Sequence, residues 1–317
     1  MTNKKSILII GAGPNNIQHG DEVDSATYQV ATYLRRAGVT TILADNNPFS
    51  YSLNDSSVID HSSIGPLTVN HLIELIEKYQ PRAILPTLGN RQAFLLTQEL
   101  LEKGILRKKE IELLGVPEAT VRQVNNPVLL ERTLRQMGAP MKKIVTVNNY
   151  PDALEEAQRL GYPVIIRSVL PKITSTRQIV HDQSELAAAV SKSVLPKSSS
   201  TRKIVHDRSE LADAVKACLS QSRAEQVVVQ QSLAGYKEIE VVVQRDQSGT
   251  MMMLGMVEDM DPIGIHAGDS IAFNPAQTLL DRQIQDMRDT AFAITRKLRI
   301  VGVNHVQFAL DPVNDNF

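Results

Sequence analysis

The sequence predicts an α/β protein that begins with a doubly wound parallel sheet. Ser6–Ile10 is a short, β-branched run that stops at a Gly-Ala-Gly-Pro turn, the usual start of such a unit. Strand-like apolar runs then alternate with amphipathic stretches over about the first 115 residues, which favours parallel strands with right-handed crossovers. The 317 residues exceed one average domain, and 42% apolar with 22% charged residues is ordinary for a globular protein.

The elements of this first part follow from local patterns. After the glycine turn, the sequence predicts, in order, a helix over Thr27–Ala37, a strand over Thr40–Ala44, a helix over Val69–Tyr79 and a strand over Ala83–Leu85. The dinucleotide fingerprint is the alternative interpretation of the glycine turn. It needs a third glycine that opens a helix, whereas Pro14 follows Gly13, so an NAD site is disfavoured.

A second domain is predicted from the Leu-Gly-Val-Pro run at 114–117, which gives the boundaries 1–115 and 116–317. Pro127 suits the first position of a helix, and Gly138 ends that helix after Met137. Further predicted elements are helices over Pro151–Leu160 and Thr278–Lys297 and strands over Tyr162–Arg167, Glu225–Leu233, Val241–Arg245 and Val301–Leu310.

A tandem repeat interrupts this second part. Residues 168–192 and 193–217 agree at 18 of 25 positions, and two copies are too few to build a solenoid. Local duplication is therefore the simpler account. Each copy has a polar loop, an Ile-Val strand and an Asp-x-Ser-Glu cap before an Ala-rich helix. One copy is surplus, and we expect it to form an extra strand–helix flap.

Charge and cysteine content restrict the function classes. The formal net charge is −1, so the whole chain exerts no bulk attraction on nucleic acid or membranes. The single Cys218 excludes an intrachain disulfide and a cysteine-based zinc site, and we expect it to be a small buried residue. The sequence shows no signal peptide and no membrane-spanning stretch, which predicts a cytoplasmic protein.

The segment Met260–Leu279 carries the strongest functional signal. Two prolines and two glycines break any helical period, and His266, Asp269 and Ser270 place an imidazole, a carboxylate and a hydroxyl on one turn. A polar loop would explain each residue alone. The whole run closely resembles the Gly-Ile-His-Thr-Gly-Asp-Ser loop beside ATP in the carbamoyl phosphate synthase large subunit, and only Ala267 departs from it.

Other segments extend this resemblance from Ser6 to about Asn314. The first strand with its glycine turn, Asn46-Asn47-Pro48 and Leu85-Pro86-Thr87 look like the family's pre-ATP-grasp domain. The third strand of that domain usually ends in Gly-Gly-Gln-Thr-Ala, whereas residues 89–93 read Gly-Asn-Arg-Gln-Ala. The resemblance implies a pre-ATP-grasp doubly wound domain followed by an ATP-grasp α+β domain that lacks its last strand or strands.

The resemblance also nominates site residues. It implies that Arg167 contacts the nucleotide phosphates, where a surface arginine is the alternative, and that Glu238 binds the ribose, where a solvated turn is the alternative. Gln307 would contact the metal or a phosphate and, with Arg167, would be catalytic. His305 is expected to be a side-of-strand residue, with a metal ligand as the alternative. The remaining nucleotide-binding residues would be Gln231, Leu233, Gly264, Ile265 and His266.

Departures from the family pattern predict an impaired site. The helix start at 127–130 carries no cation, and the loop at 171–178 contains no glycine with which to fold over phosphates. The family's later Glu-x-Asn-Pro-Arg strand, which holds magnesium and bicarbonate or carboxyphosphate, does not occur before Phe317. ATP and a weakened Mg²⁺ site are therefore the expected cofactors.

The family reaction is the ATP-dependent phosphorylation of bicarbonate toward carbamoyl phosphate, in arginine and pyrimidine biosynthesis. We expect this chain alone to be a poor catalyst of that reaction. Two alternatives remain open. The chain is one piece of a split synthase, completed by a second polypeptide and served by a glutaminase-type small subunit, or it is a non-catalytic nucleotide-binding remnant.

Overall fold

A computed structural model describes residues 5–11, 20–89, 91–168, 202–220, 226–266, 270–314 and 316–317. The chain forms two compact units. The first unit combines Met1–Pro140 with Gly235–Phe317, and the second unit is Met141–Ala234. No helix within the described ranges is long and apolar enough to cross a membrane.

The first unit contains the predicted parallel sheet. Its strands are β1 (Ser6–Ile10), β2 (Thr40–Asp45), β3 (His61–Ile64), β4 (Ala83–Leu85) and β5 (Glu112–Leu113), in the spatial order β3-β2-β1-β4-β5. All neighbouring pairs are parallel. The helices of this region are α1 (Gly20–Arg36), α2 (Tyr51–Asn54), α3 (Val69–Tyr79), α4 (Arg91–Glu102) and α5 (Ile105–Lys108). The doubly wound α/β prediction is confirmed.

Burial on both faces explains why these strands were recognisable. Leu8 and Ile10 belong to one apolar cluster and Ile7 and Ile9 to another, so alternate side chains of β1 enter opposite layers. Parallel sheets covered on both faces produce such continuous apolar runs. A strand of this kind is visible in the sequence because almost every residue is apolar.

Two glycines at the carboxyl ends of β1 and β4 are required by close packing. A Cβ atom on Gly11 would lie 2.1 Å from a carboxylate oxygen of Asp45. On Gly89 it would lie 2.3 Å from the Cβ atom of Ala93 and 2.8 Å from the carbonyl oxygen of Gly11. Both glycines therefore serve chain approach at the end of the sheet. The rest of the glycine turn lies outside the described residues, so the NAD alternative is not addressed.

Asp24 fastens the segment after β2 to α1, and its removal should cost stability. Its carboxylate accepts hydrogen bonds from Ser50 Oγ at 2.8 Å, from Tyr51 N at 2.5 Å and from Ser52 N at 3.2 Å. We expect Asp24→Asn to lower the free energy of unfolding by about 1–2 kcal/mol, because the amide keeps only one acceptor oxygen and turns an NH₂ group toward a donor of the α2 start. Urea unfolding measures this loss, with the exposed Asp213→Asn as the control.

The same contact has a pH signature. Burial alone would raise the pKa of Asp24, but hydrogen bonds from the Ser52 and Ser50 side chains and from two backbone N–H groups lower that pKa below its usual value. The contribution is therefore present above the unfolded-state pKa of about 4 and is lost as the pH falls through the folded-state pKa. A wild-type minus Asp24→Asn difference that stays constant from pH 7 to pH 2 would contradict this assignment.

Helices α6 (Glu118–Asn125) and α7 (Pro127–Gln136) follow the parallel sheet. The hydroxyl of Thr120 donates to the carbonyl of Leu298 at 2.6 Å, and Val301 N donates to Gly115 O at 2.8 Å. Residues near 115–120 are thus bonded to the last part of the chain within the same unit. The boundary at 115/116 falls inside this unit and stays a prediction.

An antiparallel sheet completes the first unit. Strands β10 (Lys237–Arg245), β11 (Met251–Asp259), β12 (Ala272–Phe273) and β13 (Gly302–Leu310) have the spatial order β12-β11-β10-β13. One face packs on the helix at Asp281–Lys297, with Ile239, Val241 and Val243 of β10 buried against Met287 and Ala291. The opposite face is not covered by that helix, and it carries the polar residues described below.

The second unit is a four-stranded antiparallel sheet with two described helices. The strands β6 (Ile144–Val147), β7 (Val164–Ser168), β8 (Arg202–Val205) and β9 (Val227–Gln231) have the order β6-β9-β7-β8. Helices α8 (Tyr150–Leu160) and α9 (Arg208–Ser220) bury their apolar faces with the strands in one cluster. Cys218 lies in this cluster at 1% exposure, which confirms the prediction of a small buried residue.

The second copy of the repeat supplies β8 and α9. Asp207 Oδ1 accepts from Ser209 N at 2.7 Å and from Glu210 N at 3.2 Å, while Glu210 accepts from His206 N at 3.0 Å. The predicted Asp-x-Ser-Glu cap is therefore formed in this copy. Apart from Ser168, the first copy lies outside the described residues, as does the predicted extra flap.

Candidate functional site

Polar residues predicted for the site come together on the open face of the antiparallel sheet. Alternate residues of β10 point to opposite faces, so Glu238 and Glu240 lie opposite the buried Ile239 and Val241. In the register of the sheet, Glu240 is directly opposite Gln307 of β13, and Glu238 is opposite Ala309. The sequence period of two thus places both carboxylates on one surface beside Gln307.

Neighbouring carboxylates at one end of this face repel one another. Burial raises the pKa of Glu238, and the charges of Asp259 and Glu240 raise it further. Burial also raises the pKa of Asp259, with Glu240 and Asp261 as the additional causes. Concentrated negative charge that is partly removed from water favours a bound cation or a proton. The open face is therefore suited to a cationic or metal-bearing ligand.

This repulsion predicts that Glu238, a nominated ligand-binding residue, destabilises the ligand-free protein. We expect Glu238→Gln to stabilise the ligand-free protein by a few tenths to about 1 kcal/mol, because it removes one of several neighbouring like charges. Since the folded-state pKa of Glu238 is raised, the ionised carboxylate costs stability, and the gain should appear as the pH rises through that pKa. Urea unfolding at pH 8 and pH 4 tests this. A variant less stable than wild type at pH 8 would contradict it.

His305 and Gln307 extend the polar surface along β13. His305 Nδ1 lies 2.5 Å from Glu240 Oε1. The Gln307 side chain, directly opposite Glu240 in the strand pairing, also helps to lower the pKa of Glu240. Hydrogen bonding to His305 is the largest cause of the lowered pKa of Glu240, so this carboxylate stays ionised. The sequence predicted a side-of-strand residue in preference to a metal ligand, and His305 does lie on β13. The structure adds that it is a partner of a site carboxylate.

The loop after β11 lies at the same end of the sheet. Ile263 N donates to Tyr236 O at 2.8 Å, and Gly235 N donates to Ile263 O at 3.3 Å, which ties the loop to the residues just before β10. Gly264 follows with φ of +97°, a conformation that favours glycine. Ile265 is 49% exposed, so it offers an apolar surface in this loop.

His266 is held at the end of the described part of this loop. It adopts φ of +45°, and its Nδ1 lies 3.0 Å from Asp261 Oδ2. Asp261 N in turn donates to Ser270 Oγ at 3.1 Å. Asp269 and its two preceding residues lie outside the described residues. The strained backbone and the Asp261 contact fix the imidazole of His266, which supports a functional loop over a merely polar one.

The other nominated residues belong to the second unit. Gln231 ends β9, where its N–H donates to Lys143 O at 3.0 Å, and Leu233 follows it outside the strand. Just after β9, Ser232 N donates to Pro163 O at 3.3 Å, so backbone pairing continues one residue beyond the strand. The backbone of Arg167 lies in β7, opposite Arg202 and Val228. Its side chain lies outside the described atoms, so its phosphate role stays a prediction.

Comparison with known proteins assigns the chain to a family. The family model of the carbamoyl phosphate synthase preATP-grasp domain matches residues 3–123, and that of the carbamoyl-phosphate synthase L chain ATP binding domain matches residues 197–317. The carbamoyl phosphate synthase large chains of Thermotoga petrophila and Thermotoga maritima are each 36% identical over 97% of this chain. The chain belongs to the carbamoyl phosphate synthase large-chain family. It spans about a quarter, 26%, of the length of these curated relatives.

Solved structures confirm the fold. The chain is similar to a Campylobacter jejuni biotin carboxylase in complex with β,γ-ATP, with a TM-score of 0.67, 16% identity and coverage of 99% of this chain and 63% of the other. An N5-carboxyaminoimidazole ribonucleotide synthetase in complex with ADP gives a TM-score of 0.62 at 15% identity, covering 99% of this chain and 69% of that one. At this identity the likeness shows an ATP-grasp type of fold and no more.

The carbamoyl phosphate synthase family implies Mg²⁺, and the described residues limit how it would be held. No group of three His, Cys, Asp or Glu side chains in the described part of the chain is arranged to hold a metal ion. Mg²⁺ commonly keeps several waters and uses one or two protein oxygens together with substrate phosphates. Gln307 and the neighbouring carboxylates fit such a nucleotide-borne ion, whereas they do not form a protein cage for it.

One departure from the carbamoyl phosphate synthase family pattern is visible in the structure. At the start of α7, where the resemblance implies arginines, Val128 is 66% and Leu129 is 41% exposed. Arg135 lies two turns later, is exposed and pairs with Glu131 at 2.9 Å. The helix start therefore offers apolar groups in place of a cation.

Sequence reasoning missed Glu240, Asp259 and Asp261 as site residues. The alternation Lys-Glu-Ile-Glu at 237–240 was the available signal for Glu240, because a period of two puts both acids on one face. Asp259 carried no such signal. It joins the site because β11 pairs with β10 in a register that opposes Glu240 to Val257.

Proposed function

We propose that this chain binds ATP as its magnesium complex and that its reaction, in a complete synthase, is the phosphorylation of bicarbonate on the way to carbamoyl phosphate. The observation that carries the proposal is the open face with Glu238 on β10, together with the hydrogen bonds of Ile263 that tie the following loop to the residues just before β10. The family membership and the sequence match of the loop support it. Pathway roles in arginine and pyrimidine synthesis, and a cytoplasmic location, follow from the same proposal.

The proposed phosphoryl transfer does not require a nucleophilic side chain of the protein. Phosphoryl transfer relies mainly on positioning and on neutralising charge, and magnesium supplies part of that neutralisation when it is bound. Glu238 would fix the ribose, Arg167 would face the phosphates, and backbone groups near Gln231 and Leu233 would meet the adenine edge. Gly264, Ile265 and His266 would border the nucleotide, and Gln307 would present an oxygen to the metal.

We infer that the chain by itself turns over slowly. The loop at 171–178 has no glycine to fold its N–H groups over phosphates, and the start of α7 presents Val128 and Leu129. Removal of one preorganised donor commonly costs about 10²–10³ in rate. The same features favour the second candidate function, a nucleotide-binding protein without turnover. A second synthase polypeptide or a glutaminase-type small subunit stays a predicted partner.

Calorimetric titration with Mg-ATP and Mg-ADP tests the proposal. We expect micromolar binding that Glu238→Ala weakens about tenfold or more, because the ribose hydroxyls lose a charged acceptor. Glu77→Ala on α3, which is exposed in the parallel-sheet region, is the control and should bind as wild type does. Absence of binding up to millimolar nucleotide would overturn the proposal. Binding followed by a bicarbonate-dependent ATPase assay separates the synthase from the second candidate.

A further inference from the structure

Glu240 holds two neighbours on the open face of the antiparallel sheet. Gln307 is directly opposite it in the pairing of β10 with β13, on the same face of the sheet, and the Gln307 side chain helps to lower the pKa of Glu240. His305 lies two residues before Gln307 on the same face, with its Nδ1 at 2.5 Å from Glu240 Oε1. Glu240 is 27% exposed and His305 is 43% exposed, measured on their side chains. The three residues thus form a row across two strands.

The chemistry of this row fixes the orientation of an amide. An ionised carboxylate can only accept hydrogen bonds, whereas a glutamine side chain has one donor end and one acceptor end. Gln307 can therefore hydrogen bond to Glu240 only through its NH₂ group, which directs its carbonyl oxygen away from that carboxylate. Without the carboxylate, either end of the amide can face a ligand.

His305 supports the same orientation of the Gln307 amide. With its Nδ1 at 2.5 Å from Glu240 Oε1, His305 holds the carboxylate in place on the face that also carries Gln307. A metal site binds its ion more tightly when neighbouring residues fix the orientation of the ligating groups. Loss of such neighbours typically costs about 10–100-fold in metal affinity.

We propose that Glu240 and His305 are positioning residues for Gln307, which they lock with its carbonyl oxygen toward the ligand, so that the site selects the metal-bound nucleotide over the free one. The inference rests on the proposed nucleotide site. It adds Glu240 and His305 as the residues that determine the preference for metal-bound over free nucleotide. Its elements belong to the first unit alone, so it is independent of the side chain of Arg167.

The binding test compares two affinities in each variant. The Kd of ATP is measured with Mg²⁺ and with EDTA, and their ratio gives the metal preference. We expect Glu240→Gln to reduce this ratio about tenfold and His305→Ala to reduce it about threefold. The double variant Glu240→Gln with His305→Ala should reduce this ratio no further than Glu240→Gln alone, because both residues act through the amide of Gln307. Gln244→Ala, an exposed residue further along the same face of β10, should leave the ratio unchanged.

An exchange of the two groups separates positioning from general damage. Glu240→Gln combined with Gln307→Glu restores an amide-to-carboxylate hydrogen bond across the same pair and again presents an oxygen to the ligand. The metal preference should recover at least partly in this double variant. A ratio that stays as low as in Glu240→Gln alone would count against an orientation effect.

A spectroscopic readout does not depend on nucleotide. In ¹⁵N-glutamine-labelled, ligand-free protein, the side-chain amide of Gln307 is assigned by its loss in Gln307→Ala. One of its two protons should be shifted downfield and slow to exchange in wild type, and this signature should collapse in Glu240→Gln. An unchanged amide signal in Glu240→Gln overturns the inference. If wild-type protein binds no nucleotide yet the signal collapses, the proposed function fails while the positioning of Gln307 stands.

Discussion

Glu258→Ala should destabilise the first unit by about 3 kcal/mol. Glu258 is only 5% exposed, and its carboxylate accepts from Gln277 N at 2.8 Å and from Thr278 N at 2.9 Å. The Thr278 hydroxyl donates to it as well, and Lys237 Nζ lies 3.7 Å away. Alanine would leave these donors without their acceptor and would bury unpaired polar groups, which is among the costly effects of single substitutions.

The pH dependence provides a second measure of this contact. Burial acts to raise the pKa of Glu258, but hydrogen bonds from Thr278 and Gln277 and the charge of Lys237 lower it on balance. The contribution of Glu258 is therefore complete above its unfolded-state pKa and is lost as the pH falls through its folded-state pKa.

The control is Glu118→Ala, which removes only an exposed ion pair with Arg122. In urea unfolding at pH 7 it should cost no more than about 0.5 kcal/mol. Equal losses for the two variants would contradict the assignment.

Leu211→Ala should destabilise the second unit by about 2–5 kcal/mol, whereas Leu186→Ala should cost little. Leu211 of α9 is fully buried in the apolar cluster formed with β7 and β9. Leu186 is its equivalent in the first copy of the repeat, 25 residues earlier. Loss of a buried leucine leaves a cavity, and the second copy supplies β8 and α9. We therefore expect Leu211 to respond, and Leu186, in the copy that we expect to be surplus, to respond little.

The repeat makes this a matched comparison. At Val205, Leu211, Ala214 and Val215 of the second copy, all buried, the first copy has the same residues. Urea unfolding followed by circular dichroism, for both alanine variants and for a deletion of residues 168–192, tests the assignment. The deletion should fold with stability close to that of wild type. Equal destabilisation by the two alanine substitutions would show instead that the copies exchange in the sheet.

The parallel sheet could be read from the sequence because its signals are local. The predicted bounds of β1, α3 and β4 agree with the structure residue for residue. Continuous apolar runs mark strands covered on both faces, and a 3.6-residue period marks α3. Helix α1 begins at Gly20, earlier than the predicted start at Thr27. The sequence did not reveal this start because the first turn carries acidic residues and no apolar period.

Elements without a strong period were not predicted. The sequence of β11 reads Met-Met-Met-Leu-Gly-Met-Val-Glu-Asp, with one β-branched residue and an internal glycine. It is a strand because it pairs with β10 along its length, including a register shift at Val242/Val243. Its hydrogen bonds come from the partner strand, and no local pattern encodes a partner.

By itself, the sequence determined the doubly wound sheet, the family resemblance and the loop with Gly264, Ile265 and His266, because these depend on local runs of residues. Only the tertiary structure decided that Asp259 crowds Glu238 and that Glu240 joins His305 to Gln307. Residues 65 positions apart, such as Glu240 and His305, meet through strand register. Register is set by which faces are buried against the helix at Asp281–Lys297, and that is a property of the packed sheet and not of any one segment.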